Sequence, residues 1–369
     1  MAISTIGASA LDSGVSQLGK NLIQNGSMAV AQRGTSEASV FGSASGYGAW
    51  PDGYRSERSS GSESGRATFS QDSSGPAGIS NSLKVEETTT DASPGAADLY
   101  RVVTRVEAQN LQHLAFGDVA AKTITLSFWV FCNLTGEFTV TLNQPDASRM
   151  YSTTYTVNSA NTWERKTITV PGDASGTIND DTGSGLEIGW MLGAGSNFSG
   201  GTQGSWAATN NNMLAAGMTN NVLGSSSGDW RITGVQLEVG SVVTDFEHED
   251  YGTTLAKCQR YYEQHDFDGA SQQNISLVKV QTASATTTGF KYLTQKRAAP
   301  TITFSAANTF LLEYNGTTTS ALSSIFADHI TDQQCRVVPV VSSGLTVDEV
   351  AMWCRDATDT AFMKISAEL

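Results

Sequence analysis

The sequence predicts an all-β protein of two β-sandwich domains, the second smaller than the first, joined by one short helix. Three observations carry this expectation. Apolar residues alternate with polar ones at period two over many short runs. Gly, Asn, Asp and Ser clusters separate those runs. Only one stretch shows helical spacing. The chain has 369 residues, too long for a single ordinary core, and only 16% of them are charged, below the roughly 25% of an average globular protein.

Residues 1–20 are small, polar and weakly apolar, and read as an N-terminal arm or docking segment. They lack a basic start and an unbroken apolar run, so no signal peptide is expected. Residues 21–100 are rich in Gly and Ser, with a loop-like run from Arg55 to Gly65. Trp50, Tyr54 and Phe69 mark the region as folded nonetheless.

The clearest strand is Thr123–Cys132, where Ile124, Leu126, Phe128, Val130 and Cys132 share one face. Trp129 and Phe131 lie on the other, which predicts a central strand covered on both sides near its end. Glu137–Leu142, Lys166–Val170 and Leu186–Leu192 repeat the alternation. Trp230–Val239 does so with a phase break at Gly234, the mark of a bulge. In Tyr251–Gln264, Tyr251, Leu255, Cys258 and Tyr262 fall on one helical stripe, with Thr253 or Thr254 as N-cap. Residues 266–369 return to short strands, with Asn315-Gly316 as a hairpin turn. The resulting division is an arm over 1–20, a sandwich over 21–250, a linker helix over 251–265 and a second sandwich over 266–369.

The formal net charge of −14 disfavours nucleic acid and anionic membranes as partners, since both need a basic face. No run approaches the roughly 20 apolar residues of a membrane span. Cys132, Cys258, Cys335 and Cys354 are far apart and the four His are unpaired, so neither a zinc site nor any other cofactor is expected.

The segment Trp230–Glu263, WRITGVQLEVGSVVTDFEHEDYGTTLAKCQRYYE, resembles a signature of bacteriophage tail-fibre and other virion structural proteins. In that family a final strand with a TGVQLE core runs into an FEH…YG…L…CQRYY tail. The matching residues are Thr233–Glu238 and Gly240, then Phe246, Glu247, His248, Tyr251, Gly252, Leu255, Cys258, Gln259, Arg260, Tyr261 and Tyr262. Upstream, Asn21–Ser36 resembles the domain's opening, Lys122–Val130 its central strand and Asn161–Thr169 a later one. The likeness covers roughly residues 21–264. Two features depart from it: a rebuilt turn at Tyr47–Tyr54, and a long insertion at Gly193–Gly228.

The resemblance implies a jelly roll akin to carbohydrate-binding modules. It implies a non-enzymatic fibre or spike subunit on the tail, neck or capsid, made in a bacterial host cytoplasm and resident in the virion. Expected partners are two further copies of the chain, other virion proteins through the arm, and host surface glycans. A glycan-binding or decoration module is the alternative, and a polysaccharide depolymerase a further one. Glycan contact in the insertion would fall to Trp206 with Asn210, Asn211 and Asn212, because exposed loop aromatics and amides suit sugars. Trp190, in phase with Leu186 and Ile188, reads instead as core, and Trp230 is a weaker candidate than Trp206. Calcium would be the exception among cofactors, with Asp173, Asn179, Asp180 and Asp181 as oxygen donors in one loop. Asp245, Glu247, Glu249 and Asp250 form a second acidic cluster.

Overall fold

The computed structural model describes residues 19–42, 45–59, 62–267, 273–314, 317–356 and 360–369, without the side chains of 317–320. The proposed arm therefore lies almost wholly outside the described residues, as does the Asn315-Gly316 turn. The chain forms two compact units, residues 1–255 with Leu369, and residues 256–368.

The first unit holds twelve strands: β1 (Ser36–Val40), β2 (Tyr54–Arg58), β3 (Arg66–Asp72), β4 (Ser82–Thr89), β5 (Leu99–Glu107), β6 (Ile124–Cys132), β7 (Gly136–Gln144), β8 (Arg149–Val157), β9 (Glu164–Val170), β10 (Ser184–Ala194), β11 (Ala207–Ala208) and β12 (Asp229–Val239). They pair into two antiparallel sheets, β1-β3-β4-β12-β6-β9 and β11-β8-β7-β10-β5-β2. Consecutive strands often lie in opposite sheets, and the result is a jelly-roll sandwich.

Period-two alternation places one face of every central strand in the core. Phe128 of β6 meets Trp190 of β10 at 5.8 Å and Tyr155 of β8 at 5.1 Å, both edge to face. Trp230 of β12 donates its indole N–H to the Tyr155 hydroxyl at 3.2 Å. These contacts bridge the two sheets, and each such ring contributes about 1.5–3 kcal/mol by burial alone. β6 is central, between β12 and β9. Its outward Trp129 and Phe131 are only half-buried, which corrects the expected second layer. Phe131 is shielded instead by Trp163 at 5.7 Å and by the Arg231 guanidinium at 4.9 Å.

The bulge lies where the phase break places it. The β12–β6 register shifts between Thr233 and Gln236, and Gly234 has φ +59°. The opening segment of the unit docks onto this bulge. Asn21 donates its amide to the Val235 carbonyl at 3.0 Å and accepts from Leu237 N at 3.1 Å and Ile23 N at 3.0 Å. Val235 N donates to Gly26 O at 2.9 Å. A Cβ at Gly26 would stand 2.2 Å from Val235 O, so only glycine admits this approach. Glu247 closes the knot: its carboxylate accepts from Asn21 N at 2.8 Å, and its own N–H donates to Gln236 Oε1 at 2.8 Å. Glu238 accepts from Thr244 N at 2.9 Å and from the Thr244 hydroxyl at 2.7 Å.

Helix α1 spans Tyr251–Gln259, shorter than the pattern suggests. Asp250 caps it, accepting from Thr253 N at 3.0 Å, so the cap falls three residues before Thr253 and four before Thr254, the two expected caps. Tyr251 is exposed, and Tyr262 of the supposed stripe already belongs to a strand. A helix this short has little intrinsic stability, and the β-prone run YYEQHDF takes over after it.

The second unit holds β13 (Tyr262–Phe267), β14 (Gln273–Val280), β15 (Thr286–Lys291), β16 (Thr301–Phe304), β17 (Phe310–Tyr314), β18 (Thr317–Ala321), β19 (Ser324–Asp328), β20 (Gln334–Val340), β21 (Val350–Arg355) and β22 (Ala361–Ser366). A three-stranded sheet, β13-β22-β16, packs on a seven-stranded one, β18-β17-β21-β14-β15-β20-β19. Trp353 is their meeting point, with Phe310 at 5.6 Å, Phe267 at 6.2 Å and Phe304 at 6.4 Å. β13 thus starts this sandwich inside the segment expected to be linker helix.

Candidate functional site on the outer face of the second jelly-roll sheet

The outer face of β11-β8-β7-β10-β5-β2 is divided in two. Over β7, β8 and β10 it is covered by the chain's own insertion. The Thr139 hydroxyl donates to Ala216 O at 2.8 Å, and the Ser152 hydroxyl to Met213 O at 2.7 Å. Beneath, Leu99, Met150 and Met191 form a small apolar cluster with Phe198, Met213, Leu214 and Ala215. Alternation alone would leave those three side chains of the sheet in water, and the insertion removes them from it.

Over β5 and β2 the face is charged. β5 reads LYRVVTRVE, and its inward set, Tyr100, Val102, Thr104 and Val106, leaves Arg101 and Arg105 outward. Glu57 stands directly across from Arg101, and Glu187 directly across from Arg105, the arrangement in which cross-strand charge pairs stabilise a sheet. Arg105 reaches Glu187 at 2.7 Å and Glu57 at 3.0 Å; Arg101 reaches Glu187 at 3.1 Å and also contacts Glu57. Burial works against the charge on Arg105, but Glu187 and then Glu57 outweigh it and raise its pKa. Both carboxylates are thus held by two guanidiniums. Arg101 Nε and Nη1 and the Thr141 hydroxyl have no hydrogen-bond partner. They flank Gly189, where a Cβ would stand 3.1 Å from Thr141 Oγ1 and 3.3 Å from Arg101 Nη1. Met191 Cε stands 3.1 Å from the same position, so these polar atoms are buried beside the charge network and are not open to a ligand.

The residues singled out from sequence are dispersed. Trp206 is half-buried, between Phe116 at 5.8 Å and Tyr151 at 5.7 Å, and its indole N–H donates to Pro171 O at 2.7 Å. Asn210 is exposed and caps a 3-10 turn, accepting from Asn212 N at 3.1 Å; Asn211 and Asn212 are exposed beside it.

Asp173 is buried and turned to Arg149, which contacts both its oxygens, one at 2.9 Å. Burial opposes its ionisation, but the Arg149 bond prevails and holds the carboxyl below its usual range. Asn179 donates its N–H to Asp146 at 3.0 Å, Asp181 accepts from Gly183 N at 2.7 Å, and Asp180 is exposed. The second acidic cluster is equally spread, with Glu247 in the bulge knot, Asp250 capping α1 and Glu249 accepting from the Thr254 hydroxyl at 3.0 Å. Among the described residues no three acidic, His or Cys side chains gather as a metal would require.

Sequence reading missed the Arg–Glu network, whose members lie far apart in the chain. The visible signal is two arginines four apart inside a Val-rich strand. It also missed that Gly224–Gly228 spells the G-x-S-x-G of a nucleophile elbow. That elbow joins a strand to a helix, whereas here the chain leaves a 3-10 turn and enters β12.

No protein-family model matches the chain, and no curated protein does. Solved structures do. A family 11 carbohydrate-binding module from Clostridium thermocellum, in complex with a β-1,3-1,4-mixed-linked tetrasaccharide, is 16% identical with a TM-score of 0.27, over 53% of this chain and 91% of that one. The N-terminal cellulose-binding domain of Cellulomonas fimi β-1,4-glucanase C is 13% identical with a TM-score of 0.26, over 58% and 100%. The enzymatically active domain of bacteriophage CBA120 tailspike protein 4 is 11% identical with a TM-score of 0.31, over 60% of this chain and 22% of that one. At these scores the fold rests on the chain's own strand pairing.

Proposed function

We propose that this chain is a non-catalytic structural subunit of a phage fibre or spike, and that its jelly roll faces host glycans. The observation that carries the reading is where the signature residues stand. Asn21, Gly26, Gln236, Glu238 and Glu247, remote in sequence, converge on one knot that ties the unit's first segment to its last strand. The resemblance to virion proteins therefore follows a fold-defining feature rather than scattered matches.

Glycan binding enters with the same resemblance, which implies a jelly roll akin to carbohydrate-binding modules. Depolymerase chemistry is disfavoured at the Arg101–Arg105 network. Glycoside hydrolysis needs one carboxyl to act as acid on the glycosidic oxygen, and Glu57 and Glu187 are each engaged by two arginines. A homotrimer, with the 1–20 arm on the particle, completes the proposal.

The test has three arms. Antibody against the purified chain should label an appendage on particles made by the genome that encodes it, and light scattering should return three times the 39.0 kDa chain mass. A host-glycan array should show binding without reducing-end release. Label confined to the host cytosol would refute the virion reading; reducing-end release would refute the non-catalytic one.

A further inference from the structure

The second unit holds a cavity of about 580 Å³ between the end of the β15–β20 ladder and the segment after β15, within the roughly 300–1,000 Å³ range of small-ligand sites. Lys291 and Gln334 are directly opposed at that end of the ladder. The backbone continues the clasp, with Tyr292 N donating to Gln333 O at 3.1 Å and Lys296 N to Asp332 O at 2.7 Å. Thr331 holds the facing turn, its hydroxyl accepting from Gln334 N at 3.1 Å and Gln333 N at 3.3 Å. Gln295 donates to Asp332 at 2.6 Å. Beneath, Tyr292 is buried with its hydroxyl beside Cys335 and without an oxygen or nitrogen partner. The rim is thus set before any ligand arrives, which lowers the ordering cost of binding.

The wall chemistry is specific. Lys291 is exposed and makes no ion pair among the described residues, and the amides of Gln333 and Gln334 are likewise uncommitted. Amides both donate and accept, which suits vicinal hydroxyls, while one unpaired ammonium suits one carboxylate. Asp332 on the same wall opposes a more highly charged anion.

We infer that this cavity binds a carboxylate-bearing sugar unit, with Lys291 on the carboxylate and Gln333 and Gln334 on the hydroxyls. This goes beyond the glycan reading above, which concerns the jelly roll of the first unit, and rests on it only for the class of ligand. The test uses the full chain in saturation-transfer NMR and titration calorimetry, with a galacturonate oligomer and a neutral galactose oligomer of equal length. The uronate should bind about tenfold more tightly, and Lys291→Ala should lose about that factor, the worth of one charge-assisted hydrogen bond. Gln334→Ala should weaken both sugars.

Equal affinity for the two sugars, or a Lys291→Ala chain that binds uronate unchanged, would overturn the inference. Displacement of uronate by an equal concentration of inorganic phosphate would overturn it too, leaving an anion site. Array binding that survives both substitutions removes this cavity and leaves the wider reading standing; an array with no binding at all removes both.

Discussion

Asn21 stands some 214 residues from the carbonyl it holds, and its replacement by alanine tests whether the bulge knot is structural. The substitution deletes the bond to Val235 O at 3.0 Å and those from Leu237 N at 3.1 Å and Ile23 N at 3.0 Å. The two to β12 are long-range; the Ile23 bond is local and helps orient the side chain. A neutral hydrogen bond contributes about 0.5–1.5 kcal/mol net, and a stranded buried group costs more. Asn21 is only half-buried, so water replaces part of the loss, and the expected destabilisation is about 2–3 kcal/mol. For a unit of this size that lowers Tm by about 5–10 °C, from roughly 2–4 °C per kcal/mol. Differential scanning calorimetry of the full chain reads it, on the transition that Phe128→Ala also shifts. Asn21→Asp keeps the acceptor but sets a carboxylate against Val235 O, so it should recover little. Asn212→Ala, exposed on the insertion, should stay within about 0.5 kcal/mol. An Asn21→Ala shift no larger than the Asn212→Ala shift would refute the assignment of the knot as a fastening of the fold.

The Glu263–Lys296 pair of the second unit is fully buried at 2.6 Å. Lys296→Met should destabilise by about 3–5 kcal/mol in urea unfolding because it removes the cation buried with the Glu263 carboxylate, and adding Glu263→Leu should restore only part of the loss, since Leu293 N and His265 then lose their acceptor. Glu164 is held down to about pKa 2; burial opposes this, but bonds from Lys166, Ser159 N and Asn158 outweigh it. A depressed carboxyl contributes stability that is complete above its ordinary value of 4.5 and is lost as pH falls toward 2. Glu164→Gln should therefore flatten the Tm-versus-pH curve in that window and leave it parallel above. Trp206→Ala should cost about 2–4 kcal/mol through lost packing on Phe116 and Tyr151, with array binding by the chain unchanged; loss of binding without loss of stability would reassign Trp206 to sugar contact.

The strands were legible because alternation is local. Ile124 to Cys132, Leu186 to Leu192 and the phase break at Gly234 each need only their neighbours to be read, and all three have their counterparts in β6, β10 and the β12 bulge. The helix was half legible: its stripe is real over one turn, but nothing in Tyr251–Gln264 says that Tyr262 will pair with Ser366. The candidate sites were least legible. An exposed-looking tryptophan in a polar insertion gives no sign that Pro171 will accept its N–H, and an Asp in a Gly-rich loop none that Arg149 will bind it.

The sequence by itself determined an all-β chain with its most clearly alternating strands and the bulge, while Arg55–Arg58, read as loop, is part of β2; period-two patterning and glycine's freedom at positive φ act within a few residues. Only the tertiary structure decided which outer faces stay open. Whether Arg101 meets Glu57 and Glu187, whether the insertion covers Met150 and Met191, and whether Lys291 faces Gln334 all depend on which strands become neighbours. That choice is set by the summed burial of side chains from the whole chain, so no local window of sequence contains it.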